Sequence, residues 1–151
     1  SAIKKFNCIT TILRPSNIYG PWQNPLGEAG VVSIFADKML KNENVSIFGD
    51  GSEYRDYIYI DDIIEFVLKA IIDKAEGTFN ISSGKITKTI EIFNHISNII
   101  GYNKPPIFLD KREGDIFGIE IDNSKSKSIG WSPKYDLKSG LENTVKFLKE
   151  K

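Results

Sequence analysis

The stretch that decides the fold runs from Phe48 to Asp62 and reads Phe-Gly-Asp-Gly-Ser-Glu-Tyr-Arg-Asp-Tyr-Ile-Tyr-Ile-Asp-Asp. Its Gly-Asp-Gly segment predicts a turn, because glycine adopts positive φ without a Cβ clash and aspartate tolerates the left-handed region. Arg55 to Ile60 then ends in Tyr-Ile-Tyr-Ile, in which aromatic and β-branched residues alternate at the period of a strand. Asp61 or Asp62 stands where the N-cap of a following apolar helix is expected. This stretch therefore predicts a turn, a strand and a helix in succession.

The composition is that of a globular protein of one domain, with 151 residues of which 40% are hydrophobic and 26% charged. The 20 acidic and 20 basic residues give zero net charge, so no long-range field favours nucleic acid or a membrane as a partner. A single histidine leaves no conventional Ser/His/Asp triad or histidine-based zinc site. No catalytic residue and no metal ligand are therefore assigned.

Arginine is scarce, because the 20 basic residues divide into 17 lysines and only three arginines, Arg14, Arg55 and Arg112. A guanidinium presents a planar fork of donors that matches a carboxylate or a phosphate, which an ammonium cannot do. The three arginines are therefore candidates for such a role. Structural ion pairs, or retention by chance, are the alternative interpretation of the same positions.

The first strand is predicted over Cys8 to Leu13, after a helix tail at Ser1 to Lys5. Its nearly continuous apolar and β-branched composition is typical of a strand covered on both faces in a parallel sheet. The seven residues before it are too few to supply a parallel neighbour through a crossover. We therefore expect that the chain begins in the middle of a larger fold, and that this strand causes self-association or disorder of the first dozen residues.

Cys8 is the single cysteine, which leaves no partner for an internal disulfide. Its apolar neighbours predict a buried structural thiol, and the composition is compatible with a reducing, cytoplasmic location.

Helices and strands alternate along the rest of the chain. Helices are predicted after Gly30, over Ile63 to Ile72, after a cap at Thr87 or Thr89, after a cap at Asp122 or Asn123, and over Asp136 to Lys149. Strands are predicted at Val45 to Phe48, at Thr78 to Ile81 and from Pro105 to near Leu109. His95 is expected on a solvated helix face.

A polar and aromatic loop, residues 14–25, follows the first strand. Ligands of open α/β sheets bind at the carboxyl ends of strands, so Asn17 and Tyr19 are candidate ligand-binding residues. The alternative is a rigid connector in which Asn17 hydrogen-bonds its own turn.

Five motifs in this order resemble the C-terminal half of NAD-dependent nucleotide-sugar epimerases and dehydratases, which are extended short-chain dehydrogenases typified by UDP-glucose 4-epimerase. The motifs are Arg-Pro-x-Asn-x-Tyr-Gly-Pro (14–21), Phe-Gly-Asp-Gly-x-x-x-Arg-Asp-Tyr-Ile-x-x-Asp-Asp (48–62), Phe-Asn-Ile-Ser-Ser-Gly (79–84), Arg-x-Gly-Asp (112–115) and Gly-Trp-x-Pro (130–133). The resemblance implies an α/β fold with two parts. Residues 1–25 are the last strand region of a truncated Rossmann-type parallel sheet, and residues 26–151 are a small α/β substrate-binding domain.

The resemblance also implies a role for individual side chains. Ser16 lies against the nicotinamide end of the NAD cofactor in such enzymes, whereas Arg14 holds the strand end and the loop. The implied contacts to a nucleotide-diphospho-sugar are Asn17 on the nucleotide-sugar, the backbone of Val32 on the nucleotide, Phe48 on the base, Arg55 and Arg112 on the diphosphate, and Asp115 on the ribose.

Two features of the family are absent from this sequence. No three glycines have the Gly-x-x-Gly-x-x-Gly spacing of the cofactor loop, and none of the six tyrosines has a lysine four residues later, as the Tyr-x-x-x-Lys catalytic pair requires. NAD therefore belongs to the full-length enzyme and is not expected to bind this chain tightly. We predict that the chain alone is catalytically inactive.

Two further functions are alternatives to the interpretation that this chain is part of an enzyme. The first is a non-catalytic nucleotide-sugar-binding or protein-interaction module built on this half of the fold. The second is an unrelated hydrolase that uses Asp56, Asp61 and Asp62, although an aspartate before a helix is far more often an N-cap.

Overall fold

A computed structural model describes residues 8–26 and 30–150, so the predicted helix tail at Ser1 to Lys5 lies outside the described residues. The strands are β1 (Thr11–Pro15), β2 (Asn17–Tyr19), β3 (Ser46–Phe48), β4 (Tyr54–Tyr59), β5 (Gly77–Ile81), β6 (Ile86–Lys88) and β7 (Ile107–Leu109). The helices are α1 (Val31–Leu40), α2 (Ile60–Ile72), α3 (Thr89–Ile100), α4 (Ser124–Ser128) and α5 (Leu137–Lys149). None of these helices is long and apolar enough to cross a membrane.

The turn, strand and helix predicted for the central stretch are present, although the helix cap differs from its prediction. Gly49 and Gly51 have φ of 71° and 79°, in the region that favours glycine, and they turn the chain from β3 into β4. Asp50 closes the turn, because its Oδ1 accepts a hydrogen bond from the Ser52 amide at 2.9 Å. The chain then runs from β4 directly into α2.

The strands of the described chain form three small sheets, and most of their pairings are parallel. β1 pairs with β5, β2 with β4, and β3 with β7, all in parallel register. Such pairings, joined by helices, confirm the α/β class. β6 is the exception, because it pairs antiparallel with β4. Neither β6 nor β2 was predicted from the sequence, and β2 lies within the predicted loop of residues 14–25.

Two buried clusters form the core. The larger one packs α1, α3 and α5 against β3 and β4. The smaller one packs α2 against β4 and β5 around Phe66 and Trp131. Because β5 pairs with β1, residues 77–81 lie beside the first strand, on the other side of the predicted boundary at residue 25. The division of the chain at that residue stays a prediction.

The predicted cap of α2 is wrong. The N-cap position is Tyr59, which makes no side-chain cap hydrogen bond, and Asp61 and Asp62 lie inside the first turn of the helix. Asp62 is buried and turns away from the helix end, because its carboxylate accepts from the backbone amides of Lys134 at 2.7 Å and Tyr135 at 3.4 Å. Tertiary contacts have therefore replaced the local cap.

The predicted cap of α3 is also wrong, because the N-cap is Lys88. Thr87 belongs to β6, and the Thr89 hydroxyl donates to the carbonyl of Glu53 at 3.1 Å instead. The Lys88 amide is satisfied by the Glu91 carboxylate at 2.7 Å. The helix predicted over Asp136 to Lys149 is confirmed as α5, and Asp136, its N-cap, accepts from the Ser139 amide at 2.8 Å.

The short helix α4 was predicted to follow a cap at Asp122 or Asn123. Asn123 is at the N-cap position without a side-chain cap bond, while the Asp122 carboxylate accepts from the amide of Ser124 at 2.9 Å. Both residues therefore take part in the start of the helix.

The first strand differs from its prediction in two respects. It runs over Thr11–Pro15 and has a parallel neighbour, β5, which comes later in the chain rather than from a preceding segment. Cys8 is exposed rather than buried, so the expectation of a structural buried thiol is wrong. Cys8 precedes β1, and Ile9 and Ile12 close to it are also about half exposed.

Asp56 of β4 connects three segments of the chain. Its side chain is only 2% exposed. Oδ1 accepts from Ser16 Oγ at 3.0 Å, from the Ser83 amide at 2.8 Å and from Ser83 Oγ at 2.9 Å, and Oδ2 accepts from the Gly84 amide at 2.8 Å. The carboxylate therefore joins the ends of β1 and β5 to β4, and its burial and four hydrogen bonds argue against the hydrolytic role considered above.

We expect Asp56→Ala to lower the free energy of unfolding by about 3 kcal/mol, because buried donors lose their acceptor. Urea denaturation measures this change. Asp73→Ala is the matched control, since Asp73 forms an exposed ion pair with Lys69 and its loss should change stability by less than about 0.5 kcal/mol. Equal effects of the two substitutions would contradict the connecting role of Asp56.

Candidate functional site

A cavity of about 600 Å³ opens between α1, β3, β4 and the segment after β7. Its lining includes predicted ligand-binding residues that are far apart in the sequence: Asn17, Phe48, Arg55, Arg112 and Asp115. The fold therefore brings together most of the side chains that the sequence motifs nominated. The other residues that line the cavity come from the chain segments between these positions.

Strand pairing positions these side chains. Asn17 begins β2 and lies opposite Tyr57 of β4 in the parallel register. Phe48 ends β3 opposite Leu109, the last residue of β7. Because β3 and β7 end side by side, the segment that follows β7 leaves the sheet next to Phe48, and this segment carries Arg112.

Arg112 packs directly on Phe48. The guanidinium carbon Cζ lies 3.7 Å from the centroid of the Phe48 ring, which is a close cation–π contact. The contact holds the guanidinium at the cavity wall while its edge donors remain available for an anion. Phe48 thus fixes the position of a cationic group as well as offering an aromatic surface.

Arg55 is anchored by backbone carbonyl groups. Its Nη1 donates to the carbonyl of Tyr54 at 2.8 Å and to that of Phe117 at 3.3 Å. The Tyr54 amide also donates to the carbonyl of Phe117, at 3.1 Å. Arg55 therefore ties β4 to the segment after β7, and its remaining N–H groups can still bind a ligand.

The charged groups of the cavity favour an anion. Lys38, Arg55 and Arg112 line it together with the acidic residues Glu53 and Asp115. The Glu53 carboxylate is partly neutralised by an ion pair with Lys111 at 3.4 Å. The cavity therefore has an excess of positive charge within a chain whose net charge is zero.

Ser16 and Val32, two further residues nominated by the resemblance, do not line this cavity. The Ser16 hydroxyl donates to Asp56, and its amide donates to the carbonyl of Ile81 at 2.9 Å. The Val32 side chain is buried in the core, while its neighbours Gly30 and Val31 line the cavity. The predicted roles of Ser16 and Val32 stay predictions.

Two other nominated residues are placed elsewhere. Tyr19 is buried between the rings of Tyr57 and Tyr59, so it is not a ligand-binding side chain. Arg14 is exposed on β1, and its predicted role in holding the strand end and the loop stays a prediction. His95 is exposed on α3, as predicted.

Sequence reasoning missed several lining residues, among them Tyr57, Lys38, Glu53 and Thr89. Burial raises the pKa of Tyr57 to about 12, so its phenol stays protonated well above neutral pH and can donate a hydrogen bond. Tyr57 was detectable in principle, because it lies two residues after Arg55 and therefore on the same face of β4. Lys38 had no such signal, because it is one of 17 lysines.

The family model and the related sequences agree on one protein family. A family model described as "NAD dependent epimerase/dehydratase family" matches residues 1–82. The putative UDP-glucose 4-epimerase of Methanocaldococcus jannaschii is 46% identical over 138 residues, which cover 91% of this chain and 45% of that protein. The UDP-glucose 4-epimerase of Mycolicibacterium smegmatis is 38% identical over 141 residues, which cover 92% and 45%.

Solved structures show the same fold. The UDP-glucose 4-epimerase of Thermotoga maritima, solved with UDP-glucose, matches with a TM-score of 0.91 and 40% identity, over 98% of this chain and 48% of that one. The UDP-N-acetylglucosamine 4-epimerase of Methanobrevibacter ruminantium, in complex with UDP-N-acetylmuramic acid, matches with a TM-score of 0.92 and 28% identity, over 98% and 48%. The chain spans about half the length of the relatives it matches.

The anchoring of Arg55 predicts an effect that needs no ligand. In Arg55→Lys the single ammonium cannot reproduce the planar contact with two carbonyl groups, so we expect hydrogen exchange in residues 112–118 to become severalfold faster. Hydrogen–deuterium exchange with mass spectrometry measures this rate. Arg14→Lys is the control and should leave the exchange of this segment unchanged. Unchanged exchange in Arg55→Lys would show that Arg55 does not hold the segment.

Proposed function

This chain belongs to the NAD-dependent epimerase/dehydratase family, and on that premise we propose that it forms the nucleotide-sugar-binding portion of an enzyme of the UDP-glucose 4-epimerase type. The observation that carries the proposal is the convergence of Asn17, Phe48, Arg55, Arg112 and Asp115 on one cavity. The cavity combines an aromatic surface with two guanidinium groups. A nucleoside diphosphate offers the matching chemistry, with a flat base and two adjacent anionic groups.

The diphosphate is proposed to bind between Arg55 and Arg112. Each charge-assisted hydrogen bond contributes about 1.5 to 3 kcal/mol, so two forks dominate the affinity. The carbonyl anchors of Arg55 and the ring contact of Arg112 reduce the freedom that each side chain loses on binding. Two cationic groups favour a diphosphate over a singly charged ligand, because the diphosphate can accept from both.

The base is proposed to pack on the ring of Phe48. Arg112 already covers one face of that ring at 3.7 Å. A nucleotide would therefore use the other face, or would displace the guanidinium toward the diphosphate, where its charge is needed. Both arrangements keep Arg112 beside the phosphates.

The remaining groups suit the sugars. The Asn17 amide both donates and accepts, as a sugar hydroxyl or a phosphate ester oxygen requires, and the Asp115 carboxylate can accept from a ribose hydroxyl. The backbone near Val32 would contact the nucleotide, since Gly30 and Val31 line the cavity. Ser16 would lie toward the nicotinamide end of the cofactor.

The residues present here do not make a site for NAD. Among the described helices none begins at a Gly-x-x-Gly-x-x-Gly loop, and the Ser16 hydroxyl is already donated to Asp56. No redox step is therefore derived from this chain. Hydride chemistry in the family needs the cofactor loop and the Tyr-x-x-x-Lys pair, which this sequence lacks.

The proposed site can be tested by calorimetric titration with UDP-glucose, dTDP-glucose and NAD. We expect a nucleotide-sugar to bind and NAD not to bind detectably. Arg55→Lys and Arg112→Lys should each weaken the binding about tenfold, which corresponds to about 1.4 kcal/mol, because a point charge replaces a fork.

Arg14→Lys is the matched control for this titration, since Arg14 is an arginine outside the cavity, and it should leave the affinity unchanged. Equal weakening by all three substitutions would indicate a general charge effect. No binding of any nucleotide-sugar would contradict a site that functions within this chain.

Catalysis gives a separate test that distinguishes part of an enzyme from a non-catalytic module. Incubation of this chain with UDP-glucose and NAD should give no UDP-galactose, because it lacks the catalytic pair. Fusion to the portion of the M. jannaschii relative that this chain does not match should give measurable epimerisation. Failure of a folded fusion that still binds UDP-glucose would favour the binding module.

A further inference from the structure

The two guanidinium groups of the cavity are held in different ways. Arg55 is fixed, because its Nη1 donates to the backbone carbonyls of Tyr54 at 2.8 Å and Phe117 at 3.3 Å. Arg112 belongs to none of the ion pairs among the described residues, and its Cζ lies 3.7 Å from the centroid of the Phe48 ring. A cation–π contact at an exposed site is weaker than two charge-assisted hydrogen bonds, so Arg112 is the more easily moved of the two.

The surroundings of Arg112 allow its side chain to move while the backbone stays in place. Arg112 is exposed, and its carbonyl accepts from the Asp115 amide at 3.3 Å in a turn. Exposed side chains change rotamer within picoseconds to nanoseconds and need no change of fold to do so. The guanidinium can therefore leave the Phe48 ring without disturbing the walls of the cavity.

The ring face under Arg112 is the one that a ligand in the cavity would meet. Phe48 is half-buried at the end of β3, and it lines the same cavity as Arg112. The face that the guanidinium covers is therefore turned toward the cavity. A nucleobase stacks on an aromatic ring through such a face. The base and the Arg112 guanidinium thus compete for the same surface.

We propose that Arg112 covers the base-binding face of Phe48 until a phosphate group draws it away, and that the cavity thereby selects nucleotides over nucleosides. The inference rests on the proposed function, which places a nucleoside diphosphate in this cavity. A nucleoside has to displace the guanidinium and gives it no new partner. A nucleoside diphosphate displaces it as well, but offers it charge-assisted hydrogen bonds to phosphate oxygens.

Arg112 therefore acts in opposite directions on the two kinds of ligand. The same cation attracts the phosphates and blocks the surface that the base needs. Discrimination is largest when a site both favours the correct ligand and opposes the wrong one, and here one side chain does both. Arg55, whose guanidinium is fixed by carbonyl groups, only attracts the phosphates.

Titrations of Arg112→Ala with uridine and with UDP, followed by NMR, test the proposal. Alanine removes both the charge and the cover of the ring. UDP should bind at least about tenfold more weakly than to the wild type, because a guanidinium fork is lost. Uridine should bind about threefold more tightly, because no cation–π contact has to be broken. Weaker binding of both ligands would show that Arg112 supports the base, and would overturn the proposal.

Arg14→Ala is the matched control for these titrations. It removes an exposed arginine that does not line the cavity. Both affinities should stay at their wild-type values, and thermal melting of Arg112→Ala should match the wild type because the side chain is exposed. An equal gain in uridine affinity in the two variants would show a general effect of charge and would contradict the proposal.

Inorganic phosphate gives a second test, on the wild-type chain. Phosphate bound by Arg55 and Arg112 should draw Arg112 from the ring, so uridine should bind about threefold more tightly than in potassium chloride of equal ionic strength. Linkage requires uridine to tighten phosphate binding by the same factor. In Arg112→Ala, phosphate should leave the uridine affinity unchanged. Independent binding of uridine and phosphate to the wild type would overturn the proposal.

Binding of UDP to the wild type reports on the proposed function separately. If UDP binds and Arg112→Ala gains no affinity for uridine, the base uses the other face of Phe48, so the proposed function stands and the proposal about Arg112 is overturned. If UDP does not bind the wild type, the proposed function fails, and the proposal fails with it. The two failures are therefore distinguished by one titration.

Discussion

The buried carboxylate of Asp56 is the interaction on which the rest of the structure depends. Its four hydrogen bonds hold the end of β1 through Ser16 and the turn after β5 through Ser83 and Gly84. Asn17 follows Ser16 directly and pairs opposite Tyr57 of β4. A carboxylate buried in this way is tolerated only when it is well hydrogen-bonded. The same side chain therefore fixes both the cavity wall and the junction between the β1–β5 sheet and the β2–β4–β6 sheet.

The second constraint is the parallel pairing of β3 with β7. It brings residues more than 60 positions apart into register and places Arg112 on Phe48. The carbonyl of Phe117 then holds Arg55 from the other side. Two guanidinium groups are thereby positioned at one cavity. Neither of them belongs to an ion pair among the described residues. Their charge remains available, and this availability makes a diphosphate the chemically reasonable ligand.

Much of the fold could be predicted from local patterns. The glycine turn after Phe48, the following strand and helix, and the final helix from Asp136 to Lys149 are confirmed, because each depends on φ preferences or on patterns within a few residues. The family assignment is also confirmed. The caps of α2 and α3 were wrong because distant partners compete for the same groups, as the contacts of Asp62 with Lys134 and Tyr135 illustrate. The predicted burial of Cys8 was wrong, because an apolar pattern does not reveal whether the rest of the fold covers a residue.

The sequence by itself determined the α/β class, the family and the identity of the scarce arginines, since these depend on residue type, order and short-range preference. Only the tertiary structure decided that Arg55 and Arg112 share a cavity with Lys38 and Tyr57, that Tyr19 belongs to the core and that Cys8 is exposed. The physical reason is that strand register and burial arise from contacts between segments distant in sequence. A repeated apolar pattern specifies which residues avoid water, but the surface that covers them is specified by the rest of the fold.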